Sequence, residues 1–371
     1  MRLHPSLRAL AAPGLLAAAT LFSASCSLVL GIGEPSLDPA GGTGGKGGSG
    51  GGAATASSTT SAESSSSSGG AGGGEVKYPC TPTDPICSQV KSDCLAVFDN
   101  TGKTSFALRL GQLDFYKPDA FTGTFQKSAF LSSTTMNLPE CNLKGSGSFS
   151  WLVQFDRTAQ TFQVGASKPP VDPHDGYSFV NETITQAGKM FKVAPVAGKA
   201  TLAADGTVSA DILDTVLMPA YLTVKATDLL LIPLHKVHII ADKTKLSPDF
   251  NCVGSYNAAG LKATDDCLPD VDQNIGSFID GGKIEGFISL EEADGVIITS
   301  FGLNRSLCVL LSNSPGTFGD GASPSKCKRD GMGKIKYNGD WCAATNTPAD
   351  ALCYDATSFS AGFAASAVQL K

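Results

Sequence analysis

Eleven cysteines, none in the Cys-x-x-Cys spacing of zinc or thioredoxin-type sites, constrain this 371-residue chain more than any other feature. Thiols in such number without a metal spacing imply disulfides and an oxidising compartment. Cys26 stands apart. The other ten are Cys80, Cys87, Cys94 and Cys141 toward the N-terminus, Cys252 and Cys267 in the middle, and Cys308, Cys327, Cys342 and Cys353 toward the C-terminus. Ten can pair completely, and Cys252 with Cys267 is the expected central bridge because no other cysteine lies near either in sequence. A bridge closing a loop of about 15 residues stabilises by about 3 kcal/mol in the chain-entropy account.

The N-terminus supplies the route out of the cytosol. Arg2 and Arg8 precede an apolar run, Ala9 to Phe22, interrupted only by Pro13, Gly14 and Thr20. These are the charged and hydrophobic regions of an export signal spanning residues 1–25. Ser23, Ala24 and Ser25 then lead to Cys26. This run resembles the lipobox of bacterial lipoproteins, in which the cysteine receives diacylglycerol and becomes the mature N-terminus. It departs from that family three positions before the cysteine, where Ser23 replaces Leu and Leu21 stands two positions early. The resemblance implies lipidation of Cys26 and a membrane partner reached through the N-terminal lipid. Ser27, where an Asp would favour the inner membrane, implies the outer membrane. Two alternatives stay open: cleavage after Ser25 as a secreted or periplasmic protein, and an uncleaved helix from Ala9 to about Ile32, long enough to span a bilayer.

Residues 26–40 form the lipidated segment. From 41 to 74 almost every residue is Gly, Ser, Ala or Thr, with Lys46 and Glu63 the only charges. No apolar surface offsets the entropy of ordering, so a disordered tether is expected, with a root-mean-square span of about 30–35 Å as a flexible coil.

Residues 75–371 are expected to fold as one β-rich ectodomain. Phe149, Trp151, Val153 and Phe155 alternate with polar residues, the period of a strand with one buried face. Asp156 to Gln160 and then Thr161 to Val164 suggest a hairpin, as do Asp205-Gly206 between Thr201 and Val208, and Asn338-Gly339 after Lys334 to Tyr337. Leu229 to Ile240 suits a central strand, with Pro233 arguing for an edge or a bulge. The best helical stretch is Leu290 to Ser300, whose Glu291 and Glu292 suit a helix N-terminus. The expected class is mainly β, a disulfide-braced antiparallel sandwich or jelly-roll-like domain with few short helices.

Candidates for chemistry are sparse. His235 and His238 lie three apart but point to opposite faces of a regular strand, and His174 sits in the turn Pro173-His-Asp-Gly176, beside Asp175. No nucleophile elbow or His-Glu-x-x-His motif is present. Asp265, Asp266, Asp270, Asp272 and Asn274 place oxygens at alternate positions, so Asp270, Asp272 and Asn274 are the calcium candidate. Ile275 replaces the glycine of an EF-hand and Gly281 its final Glu, so an ordinary solvated acidic loop is the competing reading and no cofactor is expected. Lys326, Lys328, Arg329, Lys334 and Lys336 form the one basic cluster, able to meet anionic envelope glycans or lipid headgroups, or to lie solvated. Trp151 reads as core, which leaves Trp341 and a few tyrosines for sugar stacking.

Charged residues make up 17% and the net charge is −6, against about 25% charged in an average soluble protein; nucleic acid is therefore not an expected partner. The combined expectation is a non-catalytic envelope lipoprotein with a binding, adhesion or structural role toward a glycan or protein. The alternatives are an exported hydrolase with glycosidase-like carboxylate chemistry and a lipid carrier. Two carboxyls about 5 to 9.5 Å apart in a cleft mark the former, and an apolar cavity of several hundred Å³ the latter.

Overall fold

The computed structural model describes residues 94–138, 143–224, 229–239, 244–262, 268–269 and 277–371. The signal, Cys26, the tether, Cys80, Cys87, Cys141, Cys267 and the calcium candidate Asp270, Asp272 and Asn274 lie outside the described residues.

Alternating apolar residues build one antiparallel sheet of twelve strands: β1 (Ser105–Lys117), β2 (Trp151–Asp156), β3 (Thr161–Ala166), β4 (Val196–Leu202), β5 (Val208–Ala210), β6 (Leu213–Tyr221), β7 (Leu229–His238), β8 (Cys252–Val253), β9 (Gly282–Ser289), β10 (Trp341–Cys342), β11 (Thr347–Pro348) and β12 (Ala356–Val368). The order is β6-β7-β9-β12-β1-β2-β3-β4-β5, with β8 and β10 also on β12 and β11 on β10. The sheet curls so far that Leu213 of β6 lies against Gly198 of β4, where a Cβ would sit 3.0 Å from the leucine. Both walls of the core thus come from one sheet folded over itself, and the class is mainly β. The four α-helices among the described residues are short: α1 (Ser132–Thr134), α2 (Leu290–Gly295), α3 (Leu307–Leu311) and α4 (Pro315–Phe318).

The expected β2–β3 hairpin forms, with Val153 opposite Val164 and Phe155 opposite Phe162. So does β4–β5 around Asp205-Gly206, where Gly206 adopts φ +83°. Asn338-Gly339 differs. Lys334 to Tyr337 form no strand, and a Cβ at Gly339 would meet the Ala356 carbonyl at 1.7 Å, so this glycine admits β12 rather than turning a hairpin. The helix at Leu290 stops at Gly295, and Ile297–Ile298 pairs as a strand with Arg305–Ser306. β-Branched Val296, Ile297 and Ile298 after a glycine favour that outcome. Pro233 pairs across to Leu217, while β7 meets β9 only at His235 and His238; Pro233 thus stands where a missing N–H costs no second ladder bond.

The core sits inside the curl, with Leu110, Leu113, Trp151, Phe162, Ile284 and Phe359 all buried. A bulge at Gly111 keeps Leu108, Leu110, Leu113 and Phe115 on this inner face and turns Gln112 and Asp114 outward. At one end a π-helix, Gln126–Leu131, packs Phe130 on Phe115 at 4.7 Å and on Phe149 at 5.5 Å between ring centroids.

On the outer face Arg109 is buried to 1% exposure. Its Nε donates to Ser150 Oγ (3.2 Å), and Nη2 to the carbonyls of Thr134 (2.9 Å), Gly147 (3.3 Å) and Phe149 (2.7 Å). No carboxylate pairs with it among the described residues, and burial holds its pKa below the usual guanidinium value. Two terms compete: desolvation of a lone cation against three carbonyls that would lose their donor. The hydrogen bonds outweigh the desolvation, so Arg109→Met is expected to destabilise by about 2 kcal/mol or more. A urea midpoint equal to or above wild type would show the reverse balance.

Three disulfides join described residues: Cys94–Cys252, Cys308–Cys327 and Cys342–Cys353. The first corrects the expected Cys252–Cys267 pairing. β8 lies on β12, with Cys252 opposite Ser366. The Cys94 carbonyl accepts from Ser366 Oγ, and Val97 N donates to Ala367 O at 3.1 Å. The C-terminal strand therefore brings together two cysteines 158 residues apart, a proximity that sequence distance hides.

Candidate functional site

Two polar constellations lie on the sheet. The first crosses β6, β7 and α2. Thr215 and His235 stand directly opposite one another on β6 and β7, and the imidazole stacks on Phe287 of β9 with centroids 5.3 Å apart. His235 Nδ1 lies 3.1 Å from Thr215 Oγ1, and Nε2 is hydrogen-bonded to Glu292 Oε2. The His235 bond, foremost, holds the Glu292 carboxyl below the usual carboxylate range. Glu292 is therefore ionised at neutral pH and can only accept. In the neutral ring this puts the proton on Nε2 and leaves Nδ1 to accept from the Thr215 hydroxyl.

Glu292 owes its place to its neighbours. α2 follows β9 directly, and its two glutamates occupy the first turn, where the helix dipole favours negative charge. Arg329 bonds Glu291 through both terminal nitrogens at 2.9 Å and Asp294 at 3.0 Å. Asp294, 3% exposed, also accepts from Ser306 Oγ and Cys327 N, each at 2.8 Å. One member of the basic cluster thus fastens α2. A second, Lys334, lies 4.2 Å above the Tyr354 ring.

The bulge at Lys236, with φ +48°, sets two β7 residues, Lys236 and Val237, against one of β9, Gly286, so His235 faces Phe287 and His238 faces Glu285. Both histidines therefore stand opposite residues of a single β9 face, contrary to the regular-strand expectation of opposite faces. His174 Nδ1 lies 2.9 Å from Asp172 Oδ1, and the same oxygen accepts from His174 N at 2.8 Å. That carboxylate caps the turn Pro173–Asp175. Trp151 is core, 1% exposed, and Trp341 donates from Nε1 to Asn346 Oδ1 at 3.1 Å.

The second constellation is a pair of carboxyls on the outer side of β1, β12 and β9. Asp114 and Asp280 hydrogen-bond each other. Gln112 Nε2 donates to Asp114 Oδ2 at 2.6 Å and to the Phe278 carbonyl at 2.8 Å, and lies 3.4 Å from Asp280 Oδ1. Tyr116 OH is 3.4 Å from Asp280 Oδ2. Gly362 of β12, opposite Asp114, leaves the room: a Cβ there would stand 2.1 Å from Asp280 Oδ2. Burial first, then the Asp114 charge, pushes the Asp280 carboxyl up to about 8, and burial raises Asp114 too. The pair shares a proton at neutral pH, because two like charges in contact cannot both ionise cheaply.

Neither constellation carries a sequence signature. Glu292 lies 57 residues from His235 and Asp280 lies 166 from Asp114; of the five side chains, only His235 was a candidate for chemistry beforehand, Glu292 standing out as a helix-start acid alone. The cavity inside the curl, bounded by Leu108, Phe155, Val253 and Phe363, measures about 10 Å³, room for one water at most. Cavities of about 430 and 420 Å³ flank the outer segment around Pro170 and Val171. Comparison with protein-family models, curated proteins and solved structures finds no match to this chain.

Proposed function

We propose that the protein is an exported lipoprotein, anchored in the outer membrane through Cys26, whose tether presents the β domain as a binding module for an envelope glycan or protein. The observation that carries this reading is the set of three disulfides in a chain that opens with an export signal and a cysteine after small residues. Bridges of this kind persist where glutathione does not reach. The clefts beside Pro170 and Val171 give the outer surface the concavity that ligands use.

The rival readings have less support. A lipid carrier needs a cavity far larger than 10 Å³ inside the sheet. The glycosidase arrangement keeps its two carboxyls separated by the scissile bond, whereas Asp114 and Asp280 touch.

Fractionation tests the anchor. Cys26→Ala is expected to move the protein from the membrane fraction to the periplasm or medium, with loss of the acyl groups from its intact mass. Unchanged membrane association of the variant would eliminate lipidation as the anchor.

A further inference from the structure

Thr215, His235 and Glu292 form a continuous hydrogen-bonded series of hydroxyl, imidazole and carboxylate. From it we infer an acyl-transfer site that hydrolyses small carboxylic esters, acetyl esters foremost, with Thr215 as nucleophile and His235 as general base and acid. Glu292 is the positioning residue. This activity goes beyond anchoring and display and stands on a different observation.

The protonation pattern is the reactive one. Glu292 accepts from Nε2–H of the neutral ring, so the Nδ1 lone pair faces the Thr215 hydroxyl at 3.1 Å. Nucleophile, base and carboxylate thus stand in the order of a serine-hydrolase triad, with the two ring nitrogens exchanged. The group is also preorganised, since the ring is held between a cross-strand partner and Phe287, and α2 is fastened by Arg329. The charged groups around it are Lys189, which acts on Glu292, and the Lys236–Asp214 pair at 2.6 Å beside His235 and Thr215.

Access sets the substrate class. Thr215 is exposed, and the side chains of His235 and Glu292 are 19% and 48% exposed. None of the four cavities described among these residues is lined by any of the three. An exposed nucleophile suits a short acyl group on a large or small alcohol.

In the reaction, Thr215 Oγ1 attacks the ester carbonyl carbon as its proton passes to His235 Nδ1. The tetrahedral intermediate collapses, the bond to the alcohol oxygen breaks, and the alcohol leaves with the proton from Nδ1. Water then attacks acetyl-Thr215, giving a proton to Nδ1 that returns to Thr215 Oγ1 as acetate departs. One ester and one water become one acid and one alcohol, and nothing is oxidised or reduced.

The test uses the full-length protein, with 4-nitrophenyl acetate as substrate and mass spectrometry of quenched reactions to locate the acetyl group. Wild type is expected to show saturable hydrolysis and acetylation of the peptide carrying Thr215. Thr215→Ala and His235→Ala should each lower the rate by about a hundredfold or more, Thr215→Ser should retain it, and Glu292→Gln should lower kcat with KM unchanged while Glu292→Asp restores part of it. Thr215 and Glu292 are exposed, so the melting curves of their variants should match wild type and separate lost chemistry from lost fold. A Thr215→Ala variant as fast as wild type, a His235→Ala variant unaffected, or no wild-type rate above that of the Thr215→Ala, His235→Ala double variant overturns the proposal.

Discussion

Replacing Cys94 and Cys252 by alanine is expected to lower stability by about 5 kcal/mol, the largest loss of any single bridge joining described residues. The basis is loop closure. The cysteines are 158 residues apart, and the chain-entropy relation gives about 5 kcal/mol for so long a loop against about 3 kcal/mol for the short ones. Cys308–Cys327 and Cys342–Cys353 span 19 and 11 residues. The buried site adds to the effect, because the bridge joins the start of the described chain to β8 and both lie along Ser366 and Ala367 of β12. Denaturant unfolding of the three double variants checks this. The midpoint should fall furthest for Cys94 and Cys252, and equal shifts in all three would show that loop length does not govern the stabilisation.

Raising the pH from 5 to 9 is expected to weaken the folded state through Asp280. Its carboxyl is pushed up to about 8 in the fold, against an ordinary value of 3.8. Between those values the folded state holds a proton that the unfolded chain releases, so stability falls as pH rises through the window and levels off above it. At about 1.4 kcal/mol per pKa unit the loss amounts to several kcal/mol. Asp280→Asn keeps a group of the same shape beside Asp114 and removes the charge, so it should flatten the profile and exceed wild type in stability at pH 9. Parallel wild-type and variant melting profiles from pH 5 to 9 would refute the shared proton.

How much of this was legible in the sequence depends on the range of the forces involved. The strand at Trp151, the Asp205-Gly206 turn and the acidic start of α2 are local properties of dihedral preference and side-chain direction, and they hold in the structure, although Leu152 on the strand's other face is buried too. Asn338-Gly339 misled for the same reason: its turn chemistry is local, but the close passage of β12 decides what the glycine is for.

The chain by itself determined the β class, because alternation and turn residues act within a few positions, and it determined the need for disulfides, because cysteines without metal spacing have few other uses. It could not determine which cysteines meet. Cys94 reaches Cys252, Asp114 reaches Asp280, and Thr215 and His235 reach Glu292 only because strands far apart in sequence lie side by side in one sheet. Those contacts join residues up to 166 positions apart, and the reason they were hidden is physical. Strand pairing is set by the burial of whole faces, whereas a hydrogen bond or a shared proton leaves no periodic mark in the residues that make it.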